Sequence, residues 1–93
     1  MNVEELKKKL ADEGFIHIFE WVDEPGIEYP SHKHQDKVSM YILSGGLTFQ
    51  FSDGEVVLKE GDRFDVIPGK EHTAEVGADG CRYLVGEMIE GDS

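Results

Sequence analysis

The sequence has few of the residues that mark several common classes of protein. Among its 93 residues there is a single cysteine, Cys81, so no disulfide can form within the chain. Basic residues are also scarce: 9 lysines and arginines stand against 20 aspartates and glutamates, which gives a net charge of −11. A surface of this charge repels phosphate backbones and anionic lipid headgroups. We therefore expect neither nucleic acid nor a membrane surface as a partner.

Long hydrophobic runs are absent as well. The longest stretch without a charged residue, Val38–Ser52, is shorter than the roughly 18–20 residues that cross a bilayer. Near the N-terminus, Glu4 and Glu5 stand where a secretion signal would be apolar. Together with the lone cysteine, these features predict a cytoplasmic protein in a reducing environment.

One short helix is predicted at the N-terminus. Asn2 and Glu5 have the spacing of a capping box, and Gly14 is a typical helix stop. A chain of this length forms a single domain. We therefore expect residues 1–14 to hold a helix that packs on a domain formed by residues 15–93.

From residue 15 onwards the pattern predicts seven or eight short strands separated by glycine-containing turns. Residues 47–51 alternate between apolar and polar side chains, as a strand with one buried face does. Tight turns are expected at residues 44–46 and 77–80. No helical pattern recurs between the strands, which excludes βαβ units and leaves an all-β antiparallel sandwich or closed barrel.

Two of the four histidines stand out. His32 and His34 are separated by one residue, so on an extended chain both rings lie on the same face. Two imidazoles on one face form half of a site for a first-row transition metal, although such a pair also occurs as ordinary packed or solvated histidines. His17 lies in an apolar strand without an acidic or histidine neighbour at ligand spacing, and we expect it to be structural.

The residues around the histidines resemble both sequence motifs of the cupin superfamily. The first motif of that family is a glycine, a His-x-His pair, a glutamate and a glycine, and the second is a glycine, a Pro-x-Gly turn, a histidine and an asparagine. Seven positions match in order and spacing: Gly26, His32, His34, Gly45, Gly61, Pro68 and His72. The resemblance implies an antiparallel cupin-type β-barrel, also called a double-stranded β-helix or jelly roll. It also implies that His32, His34 and His72 bind one divalent metal ion.

Gly69 stands one place before the glycine of the Pro-x-Gly turn, and two further positions depart from these motifs. Val38 or Ser39 stands where the family has its glutamate, and Val76 stands in place of the asparagine. The resemblance thus supplies three imidazoles and no carboxylate, which would leave the ion its full double charge and two or three open coordination positions. Fe, Zn, Ni, Cu and Mn all fit this ligand set.

An apolar cavity is expected around the histidines. Alternation along the strands turns Val38 and Met40 inward, and Phe64 shares the parity of an inward-facing strand. Tyr29, near the entrance, and Asp36, just beyond the histidine pair, are further candidates for the pocket lining. Asp36 also fits a surface position.

Three functions stay open at this point. The first is a metal-dependent enzyme, similar to a dioxygenase or an isomerase, that acts on a small molecule inside the barrel. The second is a non-catalytic protein that binds or senses a metal or small ligand, and the third is a structural cupin that has lost its chemical activity.

The resemblance also implies a homodimer. The apolar segment Phe15–Trp21 supports this expectation because its apolar surface exceeds what one barrel face can cover.

Overall fold

The computed structural model describes residues 2–88. Within this range one helix precedes six strands: α1 Val3–Asp12, β1 His17–Asp23, β2 Glu28–His32, β3 Lys37–Phe51, β4 Gly54–Lys59, β5 Arg63–Val66 and β6 His72–Met88. No helix in these residues is long and apolar enough to cross a membrane. The end of the domain expected over residues 15–93 lies outside the described residues.

Helix α1 begins where the capping pattern predicted. The side chain of Asn2 accepts a hydrogen bond from the backbone N–H of Glu5 at 3.2 Å, which satisfies a donor that the first turn leaves unpaired. Leu10 is fully buried and packs with Phe15 and Leu84 in a small hydrophobic cluster under the helix. The helix is therefore held to the strands by its apolar face.

All strand pairs are antiparallel, and two long strands organise them. The first half of β3 pairs with the second half of β6, and the second half of β3 pairs with the first half of β6. Strands β1 and β5 extend the first pairing, whereas β2 and β4 extend the second. The two halves face each other across one hydrophobic core. The antiparallel cupin-type fold with one short helix is thus confirmed, with a sheet that folds over on itself rather than closing as a continuous barrel.

The two long strands correct the expected strand count. Residues 44–46 and 77–80, expected as tight turns, lie inside β3 and β6. Gly45 has φ +77° and Gly80 has φ +76°, a backbone conformation open mainly to glycine. A Cβ on Gly45 would collide with the carbonyl oxygen of Gly80. These glycines bend the paired strands together instead of ending them.

Asp23 closes one end of the fold through three hydrogen bonds. Its carboxylate, 8% exposed, accepts from Trp21 Nε1 at 2.9 Å, from the Tyr29 hydroxyl at 2.7 Å and from the Tyr83 hydroxyl at 2.8 Å. Burial and the bond to Asp23 raise the pKa of both tyrosines, so the hydroxyls stay protonated as donors. Because the three donors come from β1, β2 and β6, this carboxylate joins strands of both halves.

Replacing Asp23 with alanine should lower the free energy of unfolding by about 2–4 kcal/mol, since each buried donor left without an acceptor costs about 1–3 kcal/mol. Urea unfolding followed by circular dichroism measures the change. The control is Asp79→Ala, at an exposed position of β6, which should stay within about 0.5 kcal/mol of the wild type. Equal stability of the two variants would contradict a structural role for the Asp23 hydrogen bonds.

Candidate metal centre

The fold brings three histidines from two chain segments together at one end of the core. His32 is the last residue of β2, His34 follows in the next loop, and His72 is the first residue of β6. His32 and His72 are direct partners in the β2–β6 ladder. One ring nitrogen from each of the three lies within 4.8 Å of the others.

Backbone carbonyls orient two of the three rings. Nδ1 of His32 lies 2.7 Å from the carbonyl oxygen of Pro30, and Nδ1 of His72 lies 3.0 Å from that of Lys70. A carbonyl can only accept, so Nδ1 carries the hydrogen in both rings, and in the neutral ring Nε2 then has the lone pair. This is the tautomer in which Nε2 can bind a metal.

The Nε2 atom of His72 is fully buried and has no hydrogen-bond partner in the described part of the chain. A buried polar atom of this kind is rare in folded proteins, because it has lost its contact with water without replacement. Coordination of a cation would use its lone pair. The three residues therefore fit a metal ion.

His34 and His72 lie in surroundings that favour the neutral imidazole. Burial lowers the pKa of His34, and the neighbouring His32 and His72 lower it further. Burial likewise lowers the pKa of His72 and outweighs the opposing hydrogen bond to Lys70. Neutral imidazole is the form that binds metals.

An apolar cavity of about 280 Å³ opens beside the histidines, between the two halves of the sheet. Its wall includes Tyr29, Val38 and Met40 from the expected lining, together with the following residues: Phe19, Trp21, His32, His34, Leu47, Phe49, Ala74, Tyr83, Val85 and Glu87. No lysine or arginine is among them. Any charged group of a ligand would therefore meet the histidine end or Glu87 rather than a basic side chain.

Two of the expected lining residues lie elsewhere. The Phe64 ring stacks on Phe49 and packs against Phe51, and it lines a separate hollow on the other side of these rings. Asp36 is half-buried in the loop after His34 but is not part of the cavity wall. The alternation of side chains along a strand predicts on which face of the sheet a residue lies. It does not show whether the ring of a neighbouring residue separates that residue from the cavity.

Sequence reasoning missed Glu87 and gave His17 no partner. In the structure, Nδ1 of His17 lies 2.8 Å from Oε1 of Glu87. These residues are paired across β1 and β6, and the same register sets Glu87 opposite Val38 on β3. Only the strand register could have revealed this contact, because the two residues are far apart in the sequence.

Several solved structures have the fold of this chain although their sequences are only distantly similar to it. A cupin-2 domain containing protein from Shewanella frigidimarina has a TM-score of 0.66 and 18% identity, covering 94% of this chain and 92% of that one. A predicted oxalate decarboxylase from Thermotoga maritima has a TM-score of 0.69 and 22% identity, with coverage of 89% and 74%. The polyketide cyclase RemF from Streptomyces resistomycificus has a TM-score of 0.66 and 22% identity, and this chain spans only 55% of its length. At these identities the likeness shows the fold.

No curated protein sequence matches the chain. The family model described as Cupin domain matches residues 19–86, which include all three clustered histidines and most of the strands. The two histidine segments, the double-layered antiparallel sheet and this match agree, and the chain belongs to the cupin family.

Proposed function

We propose that this cupin binds one divalent transition-metal ion through His32, His34 and His72 and presents it to a small molecule in the apolar cavity. The observation that carries the proposal is the buried Nε2 of His72, which lacks a partner in the described residues. The carbonyl bonds of His32 and His72 support it, because such contacts fix the tautomer and ring orientation of ligating histidines.

The donor set favours a first-row transition metal. Imidazole nitrogen suits Fe, Zn, Ni and Cu, whereas Mn prefers oxygen ligands and is less well retained by three nitrogens. A bound ion of this group supplies a Lewis acid with open coordination positions, and redox chemistry if it is iron or copper. The protein itself supplies the orientation of the rings and a wall that limits access of water.

The cavity fits a small and largely apolar ligand. Its volume, about 280 Å³, is close to the lower end of the range for ligand pockets, about 300–1,000 Å³. Because no basic side chain lines it, an anionic group of the ligand would bind at the ion. We infer a metal-dependent enzyme, similar to a dioxygenase or an isomerase, because the candidate ligands and a ligand-sized cavity adjoin.

A non-catalytic protein that binds a metal or a small ligand is the second candidate. The observation that favours it is the absence of a carboxylate from the three-residue cluster. We also propose a cytoplasmic location, because Cys81 is the single cysteine of the chain and a free, buried thiol, which fits a reducing compartment.

Metal content tests the central proposal. The protein, purified without an affinity tag and loaded with Zn²⁺ or Co²⁺, should hold one ion per chain by mass spectrometry. His72→Ala should weaken binding by at least ~100-fold, since removal of a ligand exceeds the ~10–100-fold effect of outer-shell partners. The control is Gln35→Ala, an exposed residue next to the ligand His34. Equal, substoichiometric metal in all three proteins would contradict the proposal.

Turnover distinguishes the enzyme from the binding protein. Protein loaded anaerobically with Fe²⁺ should consume oxygen in the presence of a thiol, a diketone or a phenol, and Ala74→Leu should reduce this activity without removing the metal, because residue 74 lines the cavity. The matched control is Ala78→Leu, at an exposed position of the same strand. Metal binding without any oxygen uptake would favour the non-catalytic function or an isomerase.

We also propose that the protein is a homodimer. Strand β1 lies at the edge of its half of the sheet. Ile16, directly before β1, is 71% exposed, and Val22, within β1, is 69% exposed. Part of the apolar segment Phe15–Trp21 is covered within the chain, because Phe15 is buried under α1. The remaining exposed groups still favour pairing through β1.

Light scattering at micromolar concentration should give the mass of two chains. Val22→Glu should shift the protein toward the monomer, because a charge would be buried in the contact. Val57→Glu is the control, since Val57 is 65% exposed on a different edge strand, β4. A wild-type monomer, or equal effects of both variants, would contradict a dimer formed through β1.

A further inference from the structure

A row of three residues crosses the sheet beside the histidine cluster. Glu87 on β6 is paired with His17 on β1 and with Val38 on β3. Directly paired residues of antiparallel strands project on the same face. Both Glu87 and Val38 line the cavity, so this row belongs to the inner face of the fold.

Glu87 is a carboxylate on an otherwise apolar wall. Its side chain is 34% exposed, and the neighbouring wall residues on its strand are Val85 and Tyr83. Moving a carboxylate toward an apolar environment is unfavourable unless a partner compensates it. His17 supplies one partner, through its ring nitrogen 2.8 Å from Oε1.

Glu87 lies beside the histidine cluster. It lines the same cavity as His32 and His34, and it is paired in the sheet with Val38, another residue of that cavity wall. Its carboxylate oxygens are not part of the group of ligand atoms within 4.8 Å. Glu87 therefore lies near the cluster but outside the set of three nitrogens.

We propose that Glu87 is a positioning residue of the metal centre, whose carboxylate, held by His17, balances the charge of the ion from outside the three imidazoles. The inference rests on the metal site proposed above. Three neutral ligands leave a divalent ion with its full charge beside apolar walls, where a charge is poorly solvated. A carboxylate on the same wall lowers that penalty.

The chemistry of the carboxylate also indicates what it would select. An ionised carboxylate can only accept hydrogen bonds. In the cavity it therefore favours a ligand group that carries a hydrogen, such as water or a hydroxyl. With the apolar wall, this points to small organic molecules with a hydroxyl or enol near the group that binds the ion.

The affinity for Co²⁺ and Zn²⁺, measured by competition with a chromophoric chelator, tests the inference. Glu87→Gln, which keeps the shape of the side chain and removes the charge, should weaken binding by about 10–100-fold, as loss of an outer-shell partner does. The matched control is Glu75→Gln, on the same strand but exposed and outside this cavity. It should bind as the wild type does.

His17 provides a second, independent variant. His17→Ala should weaken metal binding in the same direction but by less, and the double variant with Glu87→Gln should match Glu87→Gln alone, because His17 acts through that carboxylate. The position is exposed, so the single variant tests the inference even if Glu87→Gln fails to fold: metal binding by His17→Ala as tight as that of the wild type would overturn it. Additive losses would mean that the two residues act separately and would overturn it.

The two proposals fail in different ways. If wild type and His72→Ala both bind no metal, the metal site itself is wrong, and the inference on Glu87 falls with it. If the wild type binds metal, His72→Ala does not, and Glu87→Gln binds within twofold of the wild type, the metal site stands and the role of Glu87 is overturned. Melting temperatures of the metal-free proteins separate both cases from a loss of stability.

Discussion

The close contact between the two long strands is the constraint on which the rest of the fold depends. At Gly45 and Gly80 the backbones of β3 and β6 approach so closely that no side chain fits between them, and both glycines have positive φ angles. Each strand can therefore bend and continue into the opposite half of the sheet. The bend turns the two halves toward each other, and the cavity is the space left between them.

The inner face of this fold is apolar, and the fully buried polar side-chain atoms of residues 2–88 each have a hydrogen-bond partner, with one exception. Asp23 accepts from two tyrosines and a tryptophan at one end of the cavity, and Glu87 pairs with His17 near the other. Such networks are stable inside a protein only when their members are satisfied. The Nε2 atom of His72 is the exception among the described residues. Because a bound cation would use its lone pair, the histidine cluster fits a metal ion.

Local patterns revealed the helix cap, the all-β class and the three clustered histidines, because each depends on residues that are close in sequence or that belong to known motifs. The turns at residues 44–46 and 77–80 were wrong, since glycine marks a bend within paired strands as well as a turn. Asp23 and Glu87 were not foreseen. Except for Trp21, which shares β1 with Asp23, their hydrogen-bond partners lie on other strands, and only the pairing of those strands brings them together.

The net negative charge of the molecule affects cations and anionic organic ligands in opposite ways. Both arginines form salt bridges with glutamates, Arg63 with Glu13 and Arg82 with Glu20. The chain as a whole carries an excess of eleven negative charges, which sets the sign of the electric field around it. Such a field attracts divalent cations from solution and slows the approach of anions, and salt screens both effects over about 10 Å at 0.1 M. Rising ionic strength should therefore slow the binding of a cation to this surface. It should at the same time speed the association of an anionic organic molecule with it.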